Sequence, residues 1–187
     1  MMVHKYTIYY FIETFNKEEI NSLNKKINLI FRNYDNKFDK TYYDNVVKFC
    51  KKRNQKIFIS NNVKIAKICK FNGLYIPSFN KNLNFKNLNV SKKFKLIGSA
   101  HNEKEIMIKQ KQGCEDIFVS PIFLTKNNKF LLDISRFNKI NLINKKKIIA
   151  LGGINQNNFK RIKLTKSQGI GSINWIKKNR PNFLGRF

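Results

Sequence analysis

Short apolar runs recur along the whole chain and give the first information about its fold. The runs IIAL (148–151) and LIF (29–31) are apolar throughout, whereas a strand with one solvated face alternates apolar and polar residues. Continuous runs rich in Ile, Phe and Tyr are typical of parallel strands that are covered on both faces. They predict eight strands, over residues 6–12, 27–32, 56–60, 73–76, 94–99, 116–120, 147–151 and 169–176.

Most segments between these runs are predicted to be helices, because their apolar residues recur at helical spacing. The segment 102–113 ends at Gly113, which is a typical C-terminal cap. The Asn-rich stretch after residue 76 has too little apolar periodicity to predict a helix. The predicted helices span residues 16–26, 40–54, 63–71, 102–113, 133–140 and 156–166.

Eight strands that alternate with helices predict a (β/α)8 TIM barrel of the α/β class. A doubly wound open sheet is the alternative. No internal repeat and no Pro-, Gly- or Ser-rich linker divides the 187 residues, so we predict a single domain over 1–187. The chain is short for a barrel, and its helices and loops are expected to be short as well.

The C-terminal ends of the strands carry the chemistry in barrels of this kind. The chain has only 8 glycines, yet Gly152 and Gly153 stand together directly after the seventh strand. Glycine lets backbone N–H groups approach phosphate oxygens, and barrels commonly bind phosphate after strands seven and eight. We therefore predict a phosphate site formed by these glycines and the segment GSIN (171–174). The alternative is that the glycines only form a tight turn.

The net charge is +27, from 38 Lys and Arg against 11 Asp and Glu. Such a charge is compatible with a nucleic-acid or anionic-membrane partner. The basic residues are scattered, however, and the sequence is crowded with Lys, Asn, Ile and Phe, whose codons are AT-rich. We therefore attribute the charge to base composition and predict no specific nucleic acid and no membrane partner. A basic surface still attracts phosphorylated small molecules.

Three cysteines, Cys50, Cys69 and Cys114, stand far apart with no CxxC motif. An odd number at this spacing argues against a disulfide framework and against a zinc site. We predict three reduced thiols on helices and a cytoplasmic protein. The apolar segment YTIYYFI (6–12) is too short for a signal peptide or a membrane span, and no signal peptide is predicted.

Four segments occur in the order and spacing of a known family. They are FISNNVKIAKICKFNGLYIP, IGSAHNEKEI, SPIFLTKNNK and IIALGGIN. In these segments the chain resembles the thiamine-phosphate synthase and TenI family. The resemblance implies a TIM barrel. It also implies an enzyme that joins a pyrimidine diphosphate to a thiazole phosphate and releases pyrophosphate with Mg²⁺ as cofactor.

The thiazole phosphate side of the family site matches this chain well. Gly153, preceded by Gly152, falls on the phosphate-binding glycine of the family. Ile173 and Asn174 fall on the backbone donors after strand eight, although the family usually has Ser at the second position. Thr125 keeps the first threonine of a Thr-x-Thr-Lys loop.

The rest of that loop differs from the family. Asn127 and Asn128 replace the second threonine and the lysine, and Lys129 lies one position later, where a shifted loop would let it substitute. The resemblance implies phosphate binding by Thr125 and substrate binding by Lys129.

The diphosphate side matches less well. The strand-two motif Gln-x-Arg-x-Lys is reduced here to Arg32, since Ile30 and Tyr34 replace its flanking residues. The strand-three motif Asn-Asp is Ser60 and Asn61.

The second metal carboxylate of the family falls on Asn80, so both Mg²⁺ carboxylates are asparagines in this chain. Mg²⁺ prefers carboxylates beside phosphates, so we predict weak metal binding. The resemblance still implies that Arg32, Ser60 and Asn61 bind substrate.

Two residues after strand five complete the candidate site. Ser99 matches a serine of the family and is expected to bind substrate. His101 follows it and is either a general acid or base, a phosphate donor, or a helix residue with no catalytic role. The related thiazole tautomerases have a histidine where this chain has Pro121, so tautomerase chemistry is not implied. The chain resembles a variant branch of the family more than the typical synthases. Members of that branch share the pattern seen in FRNY, LYIP, SAH and SPIF, and they also lack the two metal carboxylates.

Two hypotheses about function follow. The first is a thiamine-phosphate synthase with a modified diphosphate site. The second is a catalytically degenerate member that binds a phosphorylated metabolite in a binding or regulatory role. Family synthases are often dimeric, so a homodimer is expected from the resemblance alone.

Overall fold

Eight parallel strands form a closed barrel in which each strand pairs with its neighbours in chain order. A computed structural model describes residues 6–33, 39–125, 131–172 and 175–176, with the backbone only of Lys86. The first strand pairs with the second and also with the eighth, where Thr7 lies opposite Gly169. The predicted TIM barrel is therefore confirmed, and the open sheet is wrong. The strands are β1 Thr7–Ile12, β2 Asn28–Phe31, β3 Ile57–Ser60, β4 Gly73–Ile76, β5 Lys95–Ala100, β6 Asp116–Val119, β7 Lys147–Leu151 and β8 Gly169–Ser172.

Short helices connect the strands. They are α1 Lys17–Asn21, α2 Lys40–Lys52, α3 Val63–Ile68, α4 Glu103–Lys111, α5 Asp133–Ile143 and α6 Phe159–Ile162, with a 3₁₀ turn at Asn84–Asn87 between β4 and β5. The helices α1 to α4 begin at Asn16, Asp39, Asn62 and Asn102, whose side-chain oxygens accept a backbone N–H of the first turn. Gly113 has a φ of +85° after α4, as the predicted cap requires.

Asparagine side chains shorten two predicted helices. The helix predicted over 16–26 ends at Asn21, because Asn24 forms its own turn by accepting the N–H of Lys26. The helix predicted over 156–166 begins only at Phe159, because Asn155 accepts the N–H groups of the two residues that precede that helix. Side-chain bonds of this kind compete with the helical backbone bonds.

The last predicted strand is too long. It was expected to span 169–176, but β8 ends at Ser172, and Trp175 and Ile176 are helical. Both helical residues are buried, and the Trp175 ring packs on Phe159 of α6. Burial explains why this segment is as apolar as a strand. In the described ranges, the helices are too short to cross a membrane.

Alternate residues of each strand face the interior of the barrel. A cluster of inward side chains fills it, and aromatic rings meet there edge to face, as Tyr9 and Phe118 do at 4.9 Å. The cluster consists of Tyr9, Phe11, Ile30, Phe58, Tyr75, Ile97, Phe118 and Ile149. Because side chains alternate along a strand, Arg32, Ser60 and Ser99 continue the inward series at its C-terminal end, here called the mouth.

A charged network closes the N-terminal end of the interior, here called the floor. The Asp116 carboxylate is 1% exposed and accepts hydrogen bonds from the Tyr9 hydroxyl and, at 2.8 Å, from the Lys95 ammonium. Lys147 donates to the Thr7 hydroxyl at 2.5 Å. Burial lowers the pKa of Lys147, and the Asp116 charge acts in the opposite direction. The floor is thus a buried ionic plug, and the mouth is the end where chemistry is expected.

Candidate functional site

Arg32 brings positive charge to the mouth. Its guanidinium donates to Glu13 Oε1 at 2.9 Å and lies 5.7 Å from the centre of the Phe11 ring. Glu13 is largely exposed, so the ion pair adds little stability. An anionic ligand would therefore compete with Glu13 for Arg32 at small cost. Arg32 was predicted from the sequence, whereas its partner Glu13 was not.

The Ser60 hydroxyl is buried and has no hydrogen bond to any described residue. Ser60 is 3% exposed, and its Oγ has no partner among the described residues. A buried polar group that lacks a partner costs about 1–3 kcal/mol. Ser60 continues the inward series of β3 after Phe58, so its hydroxyl lies at the mouth. A ligand with a donor or acceptor there would satisfy it.

Asn61 and Asn80 form a hydrogen-bonded amide pair. Asn80 Nδ2 donates to Asn61 Oδ1 at 2.6 Å, and Asn80 Oδ1 accepts the N–H of Asn82 at 2.9 Å. Because a backbone N–H can only donate, the second bond fixes which end of the Asn80 amide is oxygen. Asn61 has a φ of +56°, a conformation that asparagine adopts more readily than most residues. The structure therefore brings together the two asparagines that the sequence resemblance predicts at the metal-carboxylate positions, and that correspondence stays a prediction.

The amide pair does not fit Mg²⁺. Both side-chain oxygens already accept an N–H, and an amide nitrogen occupies the space between the two side chains. Neither group carries the negative charge that Mg²⁺ prefers. The described part of the chain contains no cluster of three His, Cys, Asp or Glu residues suited to a metal.

His101 is held between α4 and the end of β6. Its backbone N–H donates to Glu105 Oε2 at 2.7 Å, and its ring Nδ1 lies 2.9 Å from the carbonyl oxygen of Ser120. Since a carbonyl only accepts, Nδ1 carries the proton in this contact, which leaves Nε2 as an acceptor in the neutral ring. The structure thus orients the imidazole, and its role in catalysis stays a prediction.

The two glycines after β7 permit close contact between two loops. Gly152 and Gly153 have φ angles of +90° and +70°, and a Cβ at the second would lie 2.4 Å from the carbonyl oxygen of Phe123. The N–H of Phe123 donates to the carbonyl of Gly152 at 3.2 Å. Glycine is thus required by conformation and by packing against residues 120–124, the loop that leads to Thr125. Phosphate binding here stays a prediction.

Several predicted positions lie outside the described residues. They are Tyr34, Asn127, Asn128, Lys129, Ile173 and Asn174. Ser99 is described and is 5% exposed, and by strand alternation it faces the mouth.

Lys109 and Gln112 hold the loop that carries Asn80, and neither residue was predicted from the sequence. The Lys109 ammonium is fully buried and donates to the carbonyls of Pro77 and Asn80 and to Gln112 Oε1, at 2.7, 2.8 and 3.0 Å. Burial lowers the pKa of Lys109 to about 8, so the ammonium predominates below that pH. The helical spacing from Ile106, also buried, is a signal that could have identified it.

The three cysteines are free and buried. Cys50 lies in α2, but Cys69 is the C-cap that follows α3 and Cys114 follows α4, so the prediction that all three lie on helices is wrong for Cys69 and Cys114. Burial raises the pKa of Cys50 to about 11 and that of Cys114 to about 12. Such thiols are packing residues and not nucleophiles.

Known proteins share both the sequence pattern and the fold. The family described as thiamine monophosphate synthase matches residues 22–176. A thiamine-phosphate synthase of Prochlorococcus marinus is 41% identical over 85 residues, which are 44% of this chain and 25% of that protein. Another, from Prochlorococcus marinus subsp. pastoris, is 32% identical over 131 residues, which are 67% of this chain and 36% of that protein. The chain thus spans about a third or less of these relatives.

Two solved structures have the same fold. The thiamine phosphate pyrophosphorylase of Pyrococcus furiosus superposes with a TM-score of 0.75 at 15% identity, covering 96% of this chain and 94% of that one. The corresponding protein of Bacteroides thetaiotaomicron gives a TM-score of 0.66 at 17% identity, covering 94% and 86%. At these identities the likeness concerns the fold alone.

Proposed function

This chain belongs to the thiamine monophosphate synthase family, and we propose that it is a transferase of thiamine biosynthesis. It couples a pyrimidine diphosphate to a thiazole phosphate. The bond between the pyrimidine methylene carbon and the diphosphate oxygen breaks, and that carbon forms a new bond to the thiazole nitrogen. Pyrophosphate leaves with the electron pair of the broken bond.

The observation that carries the proposal is the buried hydroxyl of Ser60. Its Oγ has no partner among the described residues, and it lies at the mouth of the barrel, in the strand-three motif that the family uses for substrate. An unsatisfied group of this kind is costly in the free protein. A bound substrate that donates to it or accepts from it recovers that cost.

The residues divide the mouth into two halves. Arg32 supplies positive charge for the diphosphate once a substrate displaces Glu13, and Ser60, Asn61 and Ser99 contact the pyrimidine diphosphate. The loops on either side of the Gly152 and Gly153 turn receive the thiazole phosphate. Thr125 is expected to contribute to that half, and the roles of Lys129, Ile173 and Asn174, which lie outside the described residues, stay predictions.

The chemistry does not require a general base. The thiazole nitrogen attacks with a lone pair and has no proton to lose, so proton abstraction is not part of the step. The leaving pyrophosphate instead needs positive charge and hydrogen-bond donors. His101 therefore abstracts no proton in this step, and only its protonated ring, with Nδ1–H on the Ser120 carbonyl, has an Nε2–H that can donate to phosphate.

A second candidate function is binding without turnover. The specific observation that favours it is the amide pair of Asn61 and Asn80, which satisfies itself without a cation. A barrel that keeps the thiazole phosphate half and lacks the metal would bind a phosphorylated metabolite as a sensor or carrier.

A coupled assay distinguishes the two functions. Purified protein receives pyrimidine diphosphate and thiazole phosphate, with Mg²⁺ in one series and chelator in the other, and thiamine phosphate is measured. We expect turnover that chelator does not abolish, because no metal carboxylate remains at Asn61 or Asn80. Absence of turnover in both series, together with a melting temperature raised by thiazole phosphate, would establish the binding function instead.

A further inference from the structure

A buried lysine supports the loop that carries Asn80. This loop, residues 77–82, follows β4 and is here called the β4 loop. Lys109 lies on the face of α4 that is buried against the barrel, where an apolar residue is usual. It forms no salt bridge with any described carboxylate, and the oxygens that accept from its ammonium are all neutral. Such burial is costly, and an isosteric methionine would avoid the cost.

The barrel wall accommodates the stem of this lysine. A Cβ on Gly98 of β5 would lie 2.8 Å from Lys109 Cδ and 3.1 Å from the carbonyl oxygen of Ile76. The absence of a side chain at Gly98 thus lets the stem pass over β5 towards the end of β4. The stem of Lys109 thus fills the space that a side chain at residue 98 would need, and its ammonium reaches the carbonyls of the β4 loop.

The ammonium and Gln112 together fix the backbone of the β4 loop. All three donors of Lys109 are matched, two of them by the carbonyls of Pro77 and Asn80. Gln112 Nε2 donates to the carbonyls of Asn80 and Asn82, at 2.9 and 2.8 Å. The carbonyls of Pro77, Asn80 and Asn82 therefore bind Lys109 and Gln112, while the side chain of Asn80 bonds to Asn61.

The geometry points to Lys109 as a positioning residue that orients the Asn80 carboxamide in the diphosphate half of the mouth. The inference rests on the proposed function for its substrate, a pyrimidine diphosphate. Lys109 does not touch the reacting atoms and acts through the β4 loop. Lys109 fixes the position of the β4 loop from the protein interior. A metal ion bound by two carboxylates would otherwise help to fix that position.

The test compares Lys109→Met with Lys111→Met, a change of an exposed lysine on the same helix. Lys109→Met keeps the stem and removes the donors. The first readout is the pair of side-chain amide proton signals of Asn80 in an NMR spectrum, together with hydrogen exchange of residues 77–82. In Lys109→Met we expect the chemical shifts of the two Asn80 side-chain amide protons to move towards the values of a freely rotating side chain. Backbone hydrogen exchange should become faster in the β4 loop, while the amides of the strands stay protected from exchange. Lys111→Met should leave both readouts unchanged.

Kinetics give a second readout. We expect kcat/KM for the pyrimidine diphosphate to fall about 10- to 100-fold in Lys109→Met, because small displacements of positioning groups cost this much. KM for thiazole phosphate should stay within about twofold, since its half of the mouth is remote from the β4 loop. In the double variant with Asn80→Ala, the loss should be no larger than in Asn80→Ala alone.

The outcomes separate the two proposals. Unchanged Asn80 signals in Lys109→Met, or additive losses in the double variant, overturn the positioning role. A wild-type protein without turnover overturns the proposed synthase function, while the NMR and exchange readouts still decide the role of Lys109 because they need no activity.

Discussion

The hydroxyl of Ser60 is expected to contribute to substrate binding and not to the stability of the fold. Ser60→Ala removes a buried group that has no partner among the described residues, so the free energy of unfolding should stay constant or rise by up to about 1 kcal/mol. KM for the pyrimidine diphosphate should rise about three- to tenfold, the value of one hydrogen bond. Urea unfolding and steady-state kinetics measure the two effects.

Ser167 provides the matched control for this prediction. It is also buried, but its Oγ accepts the N–H of Ala150 at 3.0 Å. Ser167→Ala should therefore lower the free energy of unfolding by about 1–3 kcal/mol and leave KM unchanged. A loss of stability in Ser60→Ala as large as that in Ser167→Ala would contradict the absence of a partner for Ser60.

The amide pair predicts how carboxylates would behave at the same positions. In the double variant Asn61→Asp with Asn80→Asp, two carboxylates would stand where the amides now touch and would repel each other. The melting temperature should fall in chelator and recover in Mg²⁺, with a gain of about 1.4 kcal/mol at ten times the metal Kd. Thermal unfolding with and without Mg²⁺ tests this, and the wild type should not respond.

The single variant Asn80→Asp is the control, because the Asn61 amide can reorient and donate to one carboxylate. Identical melting temperatures of the double variant in Mg²⁺ and in chelator would show that these two loops do not correspond to the metal loops of the family.

The buried thiols predict a dependence on pH. Burial raises the pKa of Cys50 and Cys69 to about 11 and that of Cys114 to about 12, above the ordinary value of 9.0. The unfolded chain therefore loses these protons first, so this contribution to stability is complete below pH 9 and declines as the pH rises towards 11. At pH 8 Ellman's reagent should label none of the three thiols in the folded protein and all of them in urea. Rapid labelling of the folded protein would contradict their burial.

At the scale of elements, Gly153 is required both by its positive φ and by close packing, whereas Gly113 is required by its positive φ alone. Gly113 has a positive φ but room for a Cβ, whose nearest neighbour would be a Leu96 side-chain atom at 3.6 Å. Gly113→Ala should cost about 1–2 kcal/mol from conformation alone. Gly153→Ala should cost about 2–5 kcal/mol, because its Cβ would also collide with backbone oxygens. Urea unfolding of both variants measures the difference, and equal losses would contradict the packing of the β7 turn against residues 120–124.

The strands were predictable and the helix ends were not, for a physical reason. A parallel strand covered on both faces, such as Ile57–Ser60, is an apolar run in the sequence wherever it occurs. The ends of α1 and α6 depend on asparagine side chains that form turns, and the same residue type caps helices elsewhere in the chain. The sequence does not say which of these two bonds an asparagine makes.

The sequence predicted those residues of the candidate site that lie at the C-terminal ends of strands. Arg32, Ser60 and Ser99 follow inward positions, so their location at the mouth follows from strand alternation. Lys109 was missed because a lysine on a helix is usually solvated, and its burial depends on the space that Gly98 leaves open on β5, a contact that needs the structure. Contacts between residues distant in sequence, such as that of Asn61 with Asn80, needed the structure.

At the scale of the whole molecule, the stability of the floor depends on the Asp116 carboxylate, which balances the charges of Lys95 and Lys147. Asp116→Asn would leave the Lys95 and Lys147 ammonium groups close together without an anion. Lys95 is partly exposed, so the expected loss is about 2–4 kcal/mol, below the range for a fully buried pair. Asp44→Asn, which breaks the surface ion pair with Lys40, should cost clearly less than Asp116→Asn, because solvent screens surface pairs.

Urea unfolding measures both changes, and turnover serves as a second readout. Because the floor lies at the opposite end from the mouth, Asp116→Asn should keep its KM values as long as it stays folded. Equal losses of stability in Asp116→Asn and Asp44→Asn would show that the plug is solvated.

The pairing of β1 with β8 has a consequence for how the chain is made. Thr7 meets Gly169, so the barrel stays open until the last strand has left the ribosome. At about 5–20 residues per second, translation leaves the edge of β1 unpaired for roughly ten seconds or more. During that time the aromatic rings of the future interior are accessible to water and to other chains. Nascent chains stalled before β8 should therefore recruit chaperones, and release of the complete strand should end that dependence.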